Sequence, residues 1–355
     1  MADSTDDRLQ PISELGEDAL IQRLTRNFAA DAPHVLVPAG DDAAVLRSGG
    51  AEALVLSTDL LVEAVHFDLS YVPLHHLGYK AVAVNVSDVL AMNARPVGIT
   101  VSLAASNRIT VQALDALYAG VWQACQDYGL SLLGGDTTSS RQGLMIAVSA
   151  YGYAAEDALV RRNGGRENDV LLVSGDLGAA YAGLQVLERE KQVYLQNPAV
   201  QPSLDGYDYV VGRQLRPMAR QDAIQQLAEA GLQPTAMMDL SDGLATDLHR
   251  LAAASDVGVV LYQDKLPVHE QTKETAAEFD QPTTLFALHG GEDYELLLTM
   301  PAADYHANQD ALSMFTPIGF LTPRDQGLRL VQSDGSLVEL PSMGFRHFSE
   351  DNDGE

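Results

Sequence analysis

Residues 74–105 read LHHLGYKAVAVNVSDVLAMNARPVGITVSLAA. Up to about residue 93 the apolar positions recur at helical spacing: at 100° per residue, Val82, Val86 and Val89 share one stripe, and Ala81, Asn85, Asp88 and Met92 a neighbouring one. The run VGITVSLAA that follows reads as a buried strand. Outward from this helix-then-strand unit the same alternation repeats. HVLVPAG, EALVLSTD, LSLLGGD and LMIAVSAYGY read as strands, and 110–128 as a second long helix. A short helix is expected from about Ser13. A loop holding Arg161, Arg162, Gly164, Gly165 and Arg166 then marks a boundary. Beyond it come strand DVLLVSG, helix AAYAGLQVLER and a polar, Pro-containing segment over 194–219. Helix 220–231, strand TAMMDLS, helix 243–255, strand VGVVLY and the runs LLLTM, FTPIGFLT and LRLVQ complete the chain. The expectation is two α/β (or α+β) domains, residues 1–155 and 156–355.

Composition narrows the function classes. The chain has 355 residues, 46% of them hydrophobic, enough for two cores. Its formal charge of −27 excludes a non-specific nucleic-acid binder, which needs a basic footprint, and disfavours an anionic membrane surface. No run of about 18 uncharged apolar residues offers a membrane span. The start, MADSTDDRLQ, does not read as a signal peptide, so a cytoplasmic protein is expected. A single cysteine, Cys125, can form neither an internal disulfide nor a zinc cluster. Lysine occurs only at positions 80, 191, 265 and 273, the other 18 basic residues being arginine. A salty habitat, in which screening relieves self-repulsion, is one reading of that bias.

The acids are not scattered. Four strand-like runs end in small residues followed by aspartate: VLVPAGDD (Asp41, Asp42), ALVLSTD (Asp59), LSLLGGD (Asp136) and AMMDLSD (Asp239, Asp242). A fifth site, Asp88, sits on the apolar helix, where a buried charge needs a partner. The nearest cations in sequence, Lys80 and Arg95, are too few to pair them. Carboxylates beside the hydroxyls of Ser57, Thr58 and Ser87 make a hard-oxygen set suited to Mg²⁺, which keeps positions open for substrate phosphate. The plain alternative is turn chemistry or helix N-capping, for which Ser241–Asp242–Gly243 is a good candidate.

Other signals are weaker. GGDTTSS is not a Walker loop, and GDLGAA lacks the dinucleotide spacing, though its turn opens a helix whose amides suit an anion. Cys125 reads as a packing residue. His66, after a strand-like run, is either a substrate contact or an ordinary edge residue. LHGGEDYELLL places His289 and three acids (Glu292, Asp293, Glu295) at a tight turn feeding a strand, a charge density that points to function.

Together these segments resemble the thiamine-monophosphate kinase family, within the superfamily of aminoimidazole ribonucleotide synthetase. The matching stretches, in family order, are SELGEDALIQRL, GDDAAVL, STDLLVEAVHF, YKAVAVNVSDVLAMNARP, LLGGDTTSS, RRNGGREND, LRPMAR, MDLSDGLATDL, GGEDYELLLT and GFRHF. The resemblance implies an aminoimidazole ribonucleotide synthetase-like architecture with a dimerising, ATP-binding N-terminal domain and a C-terminal α/β domain. It implies phosphorylation of thiamine monophosphate by ATP, with several Mg²⁺ ions per site, in a homodimer. Metal ligands would be Asp42, Ser57, Thr58, Asp59, Asp88, Asp136, Asp239 and Asp242. ATP contacts would be Gly135, Asp136, Arg162, Ser241 and Tyr118. Substrate contacts would be His66, Glu292 and Phe345, the last as a surface for the cationic thiamine rings. The chain departs from the family pattern at Asn93, where Gly is frequent, and at Ala219, where Pro is frequent.

Within the superfamily, a selenophosphate synthetase would carry a reactive Cys or selenocysteine, and the hydrogenase-maturation member a terminal cysteine; mid-helix Cys125 fits neither. The rival from another class is a non-catalytic divalent-metal or nucleotide-binding protein.

Overall fold

A computed structural model describes residues 17–26 and 32–341 of the chain. After helix α1 (Glu17–Thr25), strands β1 (Val35–Val37), β2 (Ala44–Arg47) and β3 (Glu52–Val62) lead into helix α2 (Leu74–Ala91). Strand β4 (Arg95–Ala105), helix α3 (Val111–Tyr128), β5 (Ser131–Ser139) and β6 (Leu144–Ala155) follow. These strands form one mixed sheet in the order β1-β2-β3-β6-β4-β5, parallel only between β4 and β5.

The second half supplies β7 (Asp169–Ser174), α4 (Ala179–Gln196), α5 (Asp208–Leu215), α6 (Gln221–Glu229), β8 (Ala236–Asp239), α7 (Leu244–Ser255) and β9 (Val257–Tyr262). Helices α8 (Glu270–Glu278) and α9 (Thr283–His289), β10 (Leu296–Pro301), α10 (Ala302–Ala307), β11 (Phe315–Pro323), β12 (Leu328–Val331) and β13 (Leu337–Glu339) complete it. Its sheet runs β13-β12-β9-β11-β7-β10-β8. Two sheets with separate cores are what alternating strand and helix runs demand, and both long helices fall where the sequence places them.

The first sheet is covered on one face. Along β6 the side chains alternate strictly between buried and half-buried, the signature of a sheet packed by helices on one side. Helices α2 and α3 supply that cover, and they approach so closely that glycines meet backbone at the crossing. A Cβ on Gly78 would lie 1.9 Å from the Leu117 carbonyl oxygen, and one on Gly120 1.8 Å from that of His75. Helix α2 stops at Met92, and Asn93 takes φ +56°, a left-handed conformation that Asn tolerates and Gly prefers. The C-terminal end of α2 also reaches the second half, where Ala91 packs with Leu172, Met237 and Leu296.

Three expectations need correction. LSLLGGD is not a buried strand: β5 is the sheet's edge and, among the described residues, exposed along its length. The polar segment 194–219 holds a helix, α5. Asp242 does not cap α7; Gly243 occupies the N-cap, and the Asp242 amide donates to Asp247 Oδ2 at 3.1 Å. The expected helix start at Ser13, the GFRHF motif and Phe345 lie outside the described residues.

Candidate active site

A cleft of about 1420 Å³ opens between the two halves. Asp59 and His66 line it from β3 and the turn beyond, Lys80 and Asp88 from α2, and Arg162 from the connecting loop. From the second half come Gln214 on α5, Asp239 at the end of β8, Ser241 and Asp242 beyond it, and Glu292.

At one end of the cleft the carboxylates of Asp42, Asp88 and Asp239 each present an oxygen within 4.8 Å of the others. They arrive from the β1–β2 loop, the last turn of α2 and the end of β8, so no stretch of sequence alone makes the site. Serines hold two of them: Ser57 donates to Asp88, and Ser87 to Asp239 at 2.6 Å. Beyond Leu56 the free edge of β3 is no longer paired to β2, and the Asp59 amide donates instead to Asn85 Oδ1 at 2.9 Å. Strand alternation thus turns Ser57 and Asp59 toward α2 and Thr58 to the opposite face. The Thr58 hydroxyl donates to the Val148 carbonyl at 3.1 Å and accepts from Ser149, on the side of the sheet away from Asp88.

Burial pushes the pKa values of Asp42 and Asp88 well above the ordinary carboxylate range, and neighbouring aspartates add to it. Asp239 is raised to about 6, chiefly by burial, and Asp59 is raised by burial and the charge of Asp242. Arg162 offsets part of this repulsion, its Nη2 lying 2.7 Å from Asp42 Oδ1 and its Nε 3.2 Å from Asp41. Asp42 Oδ2 is buried and accepts no hydrogen bond. An all-oxygen donor set with an orphaned, inward carboxylate oxygen fits a hard divalent cation such as Mg²⁺.

The cationic partners differ from the sequence expectation. Lys80 pairs with Glu292 instead of an aspartate, and Arg95 is exposed. Arg162 serves Asp41 and Asp42, and Arg250 serves Asp242 and Asp247. Asp247, fully buried and raised to about 8, was missed; its place three residues before Arg250 on α7 was the available signal.

The three acids of GGEDYE separate. Glu292, at φ +64°, faces the cleft. Asp293 accepts from the Gly178 amide at 2.7 Å and the Ala180 amide at 3.4 Å. The anion that the SGDLG turn receives is therefore the chain's own. Glu295 is buried between Arg213, 2.9 Å away, Arg220 and Ser174. The latter two acids hold the fold. His66 accepts at Nδ1 from the Val62 amide at 3.0 Å, so the neutral ring carries its proton on Nε2. His289 lines the cleft, with burial lowering its pKa.

Some expected site residues lie elsewhere. Gly135 and Asp136 sit on exposed β5, and Tyr118 packs half-buried against the first core from α3; none of the three lines the cleft. Cys125 is a buried packing residue, as expected.

Comparison with known proteins follows this architecture. Residues 40–154 match the model of the AIR synthase related protein N-terminal domain, and 166–315 that of the C-terminal domain. The thiamine-monophosphate kinase of Aquifex aeolicus is 33% identical over 340 residues, covering 95% of this chain and 99% of that protein. That of Bacillus subtilis is 31% identical over 313 residues, 87% and 92% respectively. The structure of AaThiL complexed with AMPPCP and TMP superposes with a TM-score of 0.79 at 31% identity, over 97% of this chain and all of that one.

Proposed function

The chain belongs to the thiamine-monophosphate kinase family, and we propose that it transfers the terminal phosphoryl group of ATP to thiamine monophosphate, giving thiamine diphosphate and ADP. The observation that carries this reading is the meeting of Asp42, Asp88 and Asp239, from both halves, at a cleft roomy enough for two phosphorylated substrates. The acceptor is a phosphate oxygen already ionised at neutral pH, so the site needs no general base. The obstacle is repulsion between two anions, and phosphoryl transfer rests on positioning and charge neutralisation. Mg²⁺ held by Asp42, Asp88 and Asp239, with Asp59, Asp242, Ser57 and Thr58 alongside, would supply that neutralisation.

The chain's own groups do the rest. Arg162, fixed between Asp41 and Asp42, is placed to grip the nucleotide phosphates, and Ser241 borders the same space. His66 and Glu292 face the acceptor, and Phe345 belongs to the same proposal. Gly135, Asp136 and Tyr118 are retained as nucleotide contacts, and Asp136 as a further metal ligand. They belong to the homodimer in this reading: Leu60 and Leu133, on the face of the first sheet away from the helices, are 53 and 61% exposed, a face that a second copy would cover. The division of domains at residues 155 and 156 and a cytoplasmic location complete the proposal. Among the described residues no helix is long and apolar enough to cross a membrane.

A product assay tests it. With Mg·ATP and thiamine monophosphate, at both low and high salt, thiamine diphosphate and ADP should appear in equal amounts. Free thiamine and formylglycinamidine ribonucleotide should not turn over. No thiamine diphosphate at either salt, or equal turnover of a control, rejects the reading.

A further inference from the structure

We propose that Lys80 and Gln214 are positioning residues for the organic cation of the acceptor: they clamp the Glu292 carboxylate at the fixed place where it meets that cation. The inference rests on the functional reading above, in which Glu292 faces the acceptor.

Lys80 is one of four lysines in the chain and the side chain is only 3% exposed. Burying an ammonium is unfavourable unless a counter-charge is built beside it. That counter-charge is Glu292, whose Oε1 lies 2.7 Å from Lys80 Nζ. The second oxygen, Oε2, accepts from Gln214 Nε2, also at 2.7 Å. Both carboxylate oxygens are thus fixed, one from α2 and one from α5, so the two halves grip the same group.

The backbone is fixed as well. Glu292 adopts φ +64°, a conformation uncommon for a residue with a Cβ, and its amide donates to the Ser241 carbonyl at 2.7 Å. A Cβ on Gly291 would come within 2.7 Å of that same carbonyl oxygen, so the turn packs directly on the segment between Asp239 and Asp242. Backbone held in a sparsely populated region by surrounding contacts is characteristic of binding sites.

The order of the groups separates positioning from direct contact. Both Glu292 and Lys80 border the cleft, but Glu292 remains 27% exposed and Lys80 only 3%, so the carboxylate is the group a ligand reaches. A carboxylate offers about four lone-pair directions, and the two clamping donors take two, leaving acceptor capacity toward the cleft. Lys80, Val84 and Asp88 follow one another at i, i+4 and i+8, and all three border the cleft. One face of α2 therefore supplies a phosphate-side acid and, two turns away, the lysine that fixes the acid at the other end. A pocket so arranged suits a molecule with a phosphate at one end and a cationic heterocycle at the other.

Steady-state kinetics on the full chain test this with Lys80→Met, Lys80→Arg, Gln214→Ala, Glu292→Gln and the Lys80→Met/Glu292→Gln double variant. Losing one member of a charge-assisted pair should raise KM for thiamine monophosphate about tenfold in Lys80→Met. KM for ATP and kcat should stay within about twofold, since the phosphate end is untouched. Lys80→Arg should recover most of the loss, and the double variant should be no worse than Glu292→Gln alone. Equal rises in both KM values, or losses that multiply in the double variant, overturn the inference. Should Lys80→Met fail to fold, Gln214→Ala must show the same selective rise in KM, and an unchanged value there overturns it too. A wild-type chain inactive on thiamine monophosphate defeats the functional reading; an active one with unaltered variants defeats only the clamp.

Discussion

Asp88 shows how one residue reports both its burial and its use. An acid on an apolar helix face had to have a partner, and the structure gives it Ser57 as donor with Asp42 and Asp239 crowding in. Its folded pKa lies well above the unfolded value, so stability carried by the neutral form is present at low pH and falls as pH rises and ionisation is forced. In metal-free buffer at pH 8, Asp88→Asn should therefore melt no lower than the parent. Its kcat with saturating Mg²⁺ should fall by about 10² or more, because the charge that retains the cation is gone. A variant with near-parental turnover, or one that loses stability in proportion to activity, contradicts this. Sequence showed the acids plainly but gave their cations wrongly. Arg162 and Arg250 reach Asp42 and Asp242 through the fold, from 120 and 8 residues away along the chain.

At the scale of elements, α2 organises the site because it is trapped between a sheet and α3. It presents Lys80, Asn85, Ser87 and Asp88 to four different partners. That placement depends on the glycine crossing. Gly120→Ala would drive a methyl group into the His75 carbonyl, so urea denaturation should show a loss of about 1–3 kcal/mol, the range for overpacked contacts. A variant as stable as the parent would mean that the helices can separate without penalty. Long helices and strands were legible because their periodicity runs over many residues. Helix α5 was not: its eight residues lie in a polar, Pro-containing stretch and are ordered by packing of Val210 against Ala179, Ala182 and Phe286. Missing α5 meant missing Gln214. The GGEDYE turn was legible as unusual, but only tertiary contacts divide its acids between cleft, helix terminus and buried arginine pair.

For the whole molecule, the two-domain architecture followed from alternation and an ordered set of motifs, while the relation between halves did not. The loop 161–166 ties them together: Arg162 pairs with Asp41 and Asp42 of the first half, while the Met237 amide donates to the Arg161 carbonyl and Ser255 to that of Arg162 at 2.7 Å in the second. A net charge of −27 spread over this molecule gives long-range self-repulsion that salt screens. The melting temperature should rise between low and molar potassium chloride; a flat or falling response removes the salt-adaptation reading. The central claim is that aspartates from separate parts of the fold gather divalent cations to hold two mutually repelling phosphates together. A crystal grown with Mg²⁺, a non-hydrolysable ATP analogue and thiamine monophosphate should show metal ions bound by Asp42, Asp88 and Asp239, in contact with phosphate oxygens. Both ligands bound at full occupancy with those three carboxylates free of metal would contradict it.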